Sequence, residues 1–365
     1  MRDATPSAVV YDPAFAEAAQ ALAERMGIDR LMSLSATVGD SAPTEGVVAV
    51  RQEYEVKPFD KEQLRVSKDT LELPAVNFSE KRVRVESPSG VIGATVTLPQ
   101  GEGPFPAVVL VQDFEPLDRD GNLPVENLRK ASPWKQIAFA FAGRGIATLR
   151  FDSRGVGESA GDPALLTLDG RVAEITALRD FLSAEPKIDG KKVFLLGQGL
   201  GGWSAARASG GGKTAGAVFV AFPMKPVLRI WKEQVSMMRN LEGQQAAYSE
   251  LEALELSVQK GDKEWETYRG SKLNIPVIKE LSLFDPAGEI KKVSIPAIFV
   301  YPDKDNAIMP FHGEILAKES GGAFKPVYLK GVGHMITSVD EEGNQKALLD
   351  KSALEPVFDF ILGKK

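Results

Sequence analysis

The chain of 365 residues carries 44 basic and 50 acidic side chains, a formal charge of −6, two histidines and no cysteine. Its length holds one sizeable domain with an arm or cap, and its mild charge gives no electrostatic case for nucleic acid. Without cysteine there is no disulfide, thiolate metal site or cysteine nucleophile, and His312 and His334 alone do not make a multi-histidine metal site.

Residues 1–79 read as an N-terminal arm or small subdomain. Asp12 to Met26 carries Phe15, Ala18, Leu22 and Met26 at helical spacing. Gly39 to Gly46 is a polar loop, and Val47 to Val56 alternates toward a strand. No stretch approaches a transmembrane span and no signal peptide is legible. The chain is therefore expected to be soluble, either cytoplasmic or exported after loss of a leader.

Residues 80–365 read as the main domain. Val83 and Val85 alternate, Ser87 to Gly90 turns, and Ile92 to Leu98 returns as a strand. Ala107 to Val111 is a continuous apolar strand, Ser132 to Gly143 a helix, and Ile146 to Phe151 the next strand. Leu168 to Ala184 shows Val172, Ile175, Leu178 and Leu182 on one helical face. Val193 to Leu196 and Ala217 to Phe222 are further apolar strands. Residues 223–290 break the rhythm. One helix carries Ile230, Trp231, Val235, Met238 and Leu241, a second carries Leu251, Leu254 and Val258, and Trp265 and Tyr268 follow. This reads as a helical cap inserted over the C-terminal edge of a sheet, with Met224, Met237 and Met238 lining an adaptable apolar pocket. The alternation resumes with a strand at Ile295 to Tyr301, a helix at Pro310 to Lys318, a strand at Lys325 to Leu329 and a closing helix at Ala353 to Leu362. Strands alternating with helices predict an α/β fold, a mostly parallel sheet covered on both faces.

The chemistry centres on Val193-Phe194-Leu195-Leu196-Gly197-Gln198-Gly199-Leu200-Gly201-Gly202-Trp203. An apolar strand, a glycine-dense turn and a helix give the strand–turn–helix context of the nucleophile elbow G-x-S-x-G. Gly197 and Gly201 hold the two glycine positions, and Gly199 stands where the serine belongs. The central residue of such a turn sits on a strained bend, and the flanking glycines let strand and helix approach closely. Ser204 lies about a turn further along the helix and faces elsewhere, so it is not a substitute nucleophile.

Together these stretches resemble the α/β-hydrolase superfamily, nearest its dienelactone-hydrolase-like esterases and prolyl-oligopeptidase-like peptidases. Pro104 to Val111 resembles the strand before the oxyanion loop, and Asp118-Arg119-Asp120-Gly121 follows that loop. Arg150 to Ser159 resembles the loop after the next strand, Phe284-Asp285-Pro286 precedes the acid strand, and Gly331-Val332-Gly333-His334 looks like the histidine loop. The resemblance implies Asp305 as the acid, preferred over Asp303 because Ile308 follows three residues later, and His334 as the base. It implies oxyanion donors at the backbone N–H groups of Phe114 and Leu200. His312 has no motif around it and reads as structural. Gln112, Asp113, Gln198, Met224 and Trp231 are the candidate pocket residues. Two positions depart from the pattern. Gly199 supplies no nucleophile, and the loop that normally begins His-Gly begins Gln112-Asp113-Phe114-Glu115, with acids that oppose charge on an oxyanion.

The expectation is a degenerate esterase that binds a small ligand, an ester-like molecule or a partner, with no cofactor and no metal. One alternative is an active hydrolase in which His334, oriented by Asp305, activates a water beside the missing side chain. Another is a serine-to-glycine replacement introduced into an ordinary esterase.

Overall fold

The computed structural model describes residues 9–11, 31–33, 78–123, 131–238, 240–339 and 345–364. The helix expected at 12–26, the loop at 39–46 and the strand at 47–56 lie outside them. The chain divides into two compact units, Met1–Glu72 and Leu73–Lys365. The described part of the first is a parallel pair, β1 (Val9–Tyr11) with β2 (Leu31–Ser33).

The second unit opens with β3 (Phe78–Ser87) and β4 (Gly90–Pro99), an antiparallel hairpin turning through Pro88 and Ser89. It continues with β5 (Phe105–Val111), α1 (Pro133–Ala142), β6 (Ala147–Phe151), α2 (Leu168–Ser183), β7 (Ile188–Gln198), α3 (Leu200–Ala208) and β8 (Gly216–Val220). Helix starts follow local chemistry. Proline 133 opens α1, where its missing N–H is not needed, and the Thr167 hydroxyl accepts from Gly170 N–H at the start of α2.

Between β8 and the next sheet strand lie α4 (Val227–Ser236), α5 (Leu241–Lys260), the antiparallel pair β9 (Trp265–Tyr268) and β10 (Ser271–Asn274), α6 (Ile275–Leu283) and α7 (Pro286–Ile290). This segment differs from the expected helical cap in three ways. It contains a hairpin, turned by Arg269 and Gly270, whose positive φ values of 49° and 75° suit a two-residue β-turn. The helix expected through Leu241 stops at Ser236, because Asn240 caps a new one by accepting from Glu242 N–H. And of the methionines expected together, Met224 is buried while Met237 is 59 % exposed.

The domain closes with β11 (Ala297–Pro302), α8 (His312–Glu319), β12 (Pro326–Leu329), the small pair β13 (Thr337–Val339) and β14 (Gln345–Leu349), and α9 (Glu355–Leu362). Eight strands form one sheet in the order β12-β11-β8-β7-β5-β6-β4-β3. Only the pairs β3–β4 and β4–β6 are antiparallel. The central strands are apolar without alternation because helices cover both faces: β6 and β8 are buried at every position. Trp203 of α3 is fully buried, stacked on Phe284 at 4.3 Å and donating its indole N–H to the Pro223 carbonyl. Register aligns the strand ends. Val111 pairs with Gly197, Gln198 with Val220, and Pro302 with Leu329. The loops after β5, β7, β11 and β12 therefore leave the same edge, the C-terminal edge where open α/β sheets bind ligands.

Candidate active site

Asp305 sits in the loop after β11 and His334 in the loop after β12. The His334 Nδ1–H donates to Asp305 Oδ2 at 2.7 Å, and the other carboxylate oxygen accepts from Ala307 and Ile308 N–H at 2.8 and 2.9 Å. That turn explains the Asp305/Ile308 spacing, whereas Asp303 accepts from Gly331 N–H and does not reach the histidine loop's imidazole. Burial opposes an imidazolium, but the charge and hydrogen bond of Asp305, joined by Asp113 and Glu115, outweigh it and hold His334 up at about 9.

Gly199 forms the bend between β7 and α3, at φ 54° and ψ −132°, donating to the Val220 carbonyl and accepting from Gly202 N–H. Its positive φ is that of a sharp, strained bend. The glycines around it are required by close approach. A Cβ on Gly197 would stand 2.7 Å from the Cα of Gly202, and one on Gly201 would stand 2.3 Å from the Gln112 carbonyl oxygen. At Gly199 the obstacle is different. A Cβ there would meet the Asp113 carboxylate, 2.0 Å from Oδ2. The Asp113 side chain thus occupies the space that a side chain at position 199 would need.

Both expected oxyanion donors turn to that carboxylate. Phe114 N–H donates to Asp113 Oδ1 at 2.7 Å, and Leu200 N–H at the start of α3 faces the same group. Burial pushes Asp113 up to about 6, with Glu115 adding to the rise and His334 and the two N–H groups opposing it. Between about pH 6 and 9 the site therefore holds a carboxylate beside an imidazolium. Glu115 itself is exposed.

The remaining pocket candidates have other duties. Gln112 is buried, and its amide donates to the Leu117 and Phe151 carbonyls and to the Ser153 hydroxyl, which fixes the loop rather than facing a ligand. Gln198 donates to the His334 carbonyl at 2.6 Å, tying the elbow strand to the histidine loop. Met224 is buried in the core and donates its N–H to His312 Nδ1. Trp231 stacks on Tyr268 at 5.3 Å inside the inserted segment. His312 is fully buried, with its other nitrogen 2.9 Å from Glu233 of α4. That contact, with Gln234 donating to the Ala307 carbonyl, fastens α4 to the acid loop. Ser204 is fully buried within α3, away from any hydrogen-bond partner. Sequence reasoning missed Arg171, a fully buried guanidinium packed 5.7 Å from the Phe114 ring and 5.3 Å from the Phe151 ring. Its signal was an Arg171/Glu174 pair at i, i+3 on the helix face that carries Leu168, Ile175, Leu178 and Leu182. Among the described residues, no group of three or more metal-ligating side chains is placed to hold a metal ion, and no helix is long and apolar enough to cross a membrane.

Comparison with known proteins matches the family and the fold. Esterase EstD of Thermotoga maritima is 27 % identical over 304 residues, spanning 80 % of this chain and 71 % of that protein. Two solved structures share the fold at 16 % identity. Hypothetical protein PA2218 of Pseudomonas aeruginosa has a TM-score of 0.56, covering 80 % of this chain and 95 % of its own. Est1E of Butyrivibrio proteoclasticus, solved with ferulic acid bound, has a TM-score of 0.53, covering 77 % and 98 %. The model of the alpha/beta hydrolase family matches residues 127–343, from ahead of α1 to beyond the histidine loop. Sheet order, the glycine-lined bend after β7 and the Asp305–His334 pair agree with that match, and the chain belongs to the alpha/beta hydrolase family.

Proposed function

We propose that this protein descends from an esterase, has lost serine acyl-transfer chemistry, and uses its site to bind a small ligand. The observation that carries the reading is the Asp113 carboxylate lying where a side chain at position 199 would stand, with Phe114 and Leu200 N–H turned toward it. Acyl transfer needs a nucleophile and a free pair of donors for the developing oxyanion. Gly199 offers no nucleophile, and the donors already hold a negative charge. The likeness to esterase EstD supports the ancestry. An introduced serine-to-glycine change would remove the nucleophile alone; the acid at position 113 is a second, separate departure and favours a site reorganised as a whole.

The alternative, water activation by His334, is less well supported. The charges of Asp305, Asp113 and Glu115 raise His334 and favour its imidazolium, which works against its acting as a base. The test is labelling with a fluorophosphonate probe. The expected result is no labelling; stoichiometric labelling at any serine, lost in His334→Ala, would overturn the reading.

A further inference from the structure

The place that Asp113 fills is built from four separate pieces. The Phe114 N–H comes from the loop after β5 and the Leu200 N–H from the first residue of α3. The imidazole of His334 comes from the loop after β12, and Gly199 leaves room by having no Cβ. The two donors, the positive end of α3 and the imidazolium all favour negative charge at one point. A carboxylate stands there, supplied by the chain itself.

Burial and the like charge of Glu115 work against that carboxylate, while His334 and the two N–H groups work for it. Arg171 is also within reach of its charge and packs 5.7 Å from the Phe114 ring. The side chain is only partly covered from solvent, beside an imidazole whose own side chain is 15 % exposed. Two structural facts thus meet: a cradle that takes a carboxylate, and a tethered carboxylate that can leave it for water.

We propose that this cradle is the binding site for the carboxylate group of a small organic acid, and that Asp113 is a built-in competitor displaced when that acid binds. The proposal rests on the ligand-binding reading above and names the ligand's chemistry. The planar two-oxygen group now in place, one oxygen on Phe114 N–H and the other in the Gly199 notch, defines the shape the ligand presents.

A competitor that occupies its site about 90–99 % of the time weakens the apparent affinity of a ligand roughly 10–100-fold. The experiment is a calorimetric titration of the full chain with sodium acetate near pH 7, in the parent and in Asp113→Gly. The variant is expected to bind at least roughly tenfold more tightly than the parent. Adding His334→Gln to the variant should abolish that gain. No gain in Asp113→Gly, or inorganic phosphate binding the variant more tightly than acetate, would overturn the proposal.

A second measurement holds if the variant does not fold. The chain has two histidines, so the His334 ring protons can be followed by NMR in the parent. The groups that face the pair are Asp305, Asp113, Glu115, Arg171 and the two N–H groups. Of these, Asp113 loses its charge as the pH falls through about 6, while His334 keeps its own until about 9. Acetate should therefore shift the His334 signals near pH 5.5 and leave them unmoved near pH 8. An equal response at both pH values would show that Asp113 does not compete. Failure here leaves the fluorophosphonate result untouched, so the ligand's chemistry and the loss of serine chemistry are tested apart.

Discussion

Asp305 and His334 leave β11 and β12; Asp113 and Gly199 leave β5 and β7; all four meet at one edge of one sheet. The first pair keeps a direct hydrogen bond with a buried carboxylate whose second oxygen is held by two backbone N–H groups. The second pair is held by its backbone frame, with the Asp113 carboxylate in the bend. The bend at Gly199 and the close approaches at Gly197 and Gly201 are those of a strained elbow, but the side chain in the middle belongs to another loop. The difference teaches that frame and chemistry are specified separately. Close packing of glycines against backbone preserves the turn whether or not a nucleophile stands on it.

That contrast can be broken most sharply at the frame. Gly201→Ala would drive a Cβ against the Gln112 carbonyl, a backbone atom that has nowhere to move. We expect a loss of about 3 kcal/mol or more in urea unfolding. Gly199→Ala meets only the end of the Asp113 side chain, and its main penalty is the positive φ, about 1–2 kcal/mol. Equal losses in the two variants would mean that the turn is not held by backbone contact.

The pH dependence of stability sharpens the chemistry side. His334 has a folded value of about 9, above the ordinary 6.5. Its contribution is full below pH 6.5 and is lost as the pH rises through 9, by at most about 3 kcal/mol. Unfolding the parent and His334→Gln across pH 6.5–10 should show that loss in the parent alone. Asp113, raised from 3.8 to about 6, likewise contributes fully below 3.8 and loses its contribution as the pH rises through 6. Asp113→Asn should flatten that lower step. A parent whose stability is unchanged from pH 6.5 to 10 would show that the imidazolium is not held by its carboxylates.

The smallest expected effect is at Gln112. Gln112→Ala takes a donor from the Phe151 and Leu117 carbonyls, of which Leu117 keeps the Ser153 N–H, and should cost about 1–2 kcal/mol in unfolding free energy. It should leave the His334 titration unmoved, since the amide serves the loop and not the site.

The sheet was legible because its central strands are uninterrupted apolar runs between amphipathic helices, and β5, α1, β6 and α2 fall within a few residues of the expected bounds. The hairpin at Trp265–Asn274 was not. Its short strands mix polar and apolar residues, and the Arg269-Gly270 turn is a weak signal without the strand pairing. The Asp305–His334 pair was readable from loop context. The destination of Asp113 was not, because nothing local says that a loop acid will turn back onto the neighbouring strand's bend. Its only trace was the coincidence of two departures, an acid after β5 and a glycine after β7. Gln112 misled for the same reason: beside a candidate site it looked available, and three buried acceptors claim its amide.

Residues 113 and 199 share one space, so a serine at 199 alone is not expected to make the site active. The most direct measurement is steady-state hydrolysis of an activated acetate ester by the parent, Gly199→Ser, Asp113→Gly and the double variant. Asp113→Gly alone has no nucleophile and should match the parent. Gly199→Ser alone pushes the Asp113 carboxylate aside but leaves it tethered next to the Phe114 and Leu200 N–H groups, where it still competes with an oxyanion, so it should gain little. The double variant frees the donors and supplies the serine, and should exceed either single variant by at least about 10²-fold. Full activity in Gly199→Ser alone, equal to the double variant, would contradict the account, because it would mean that the Asp113 carboxylate does not hold the site.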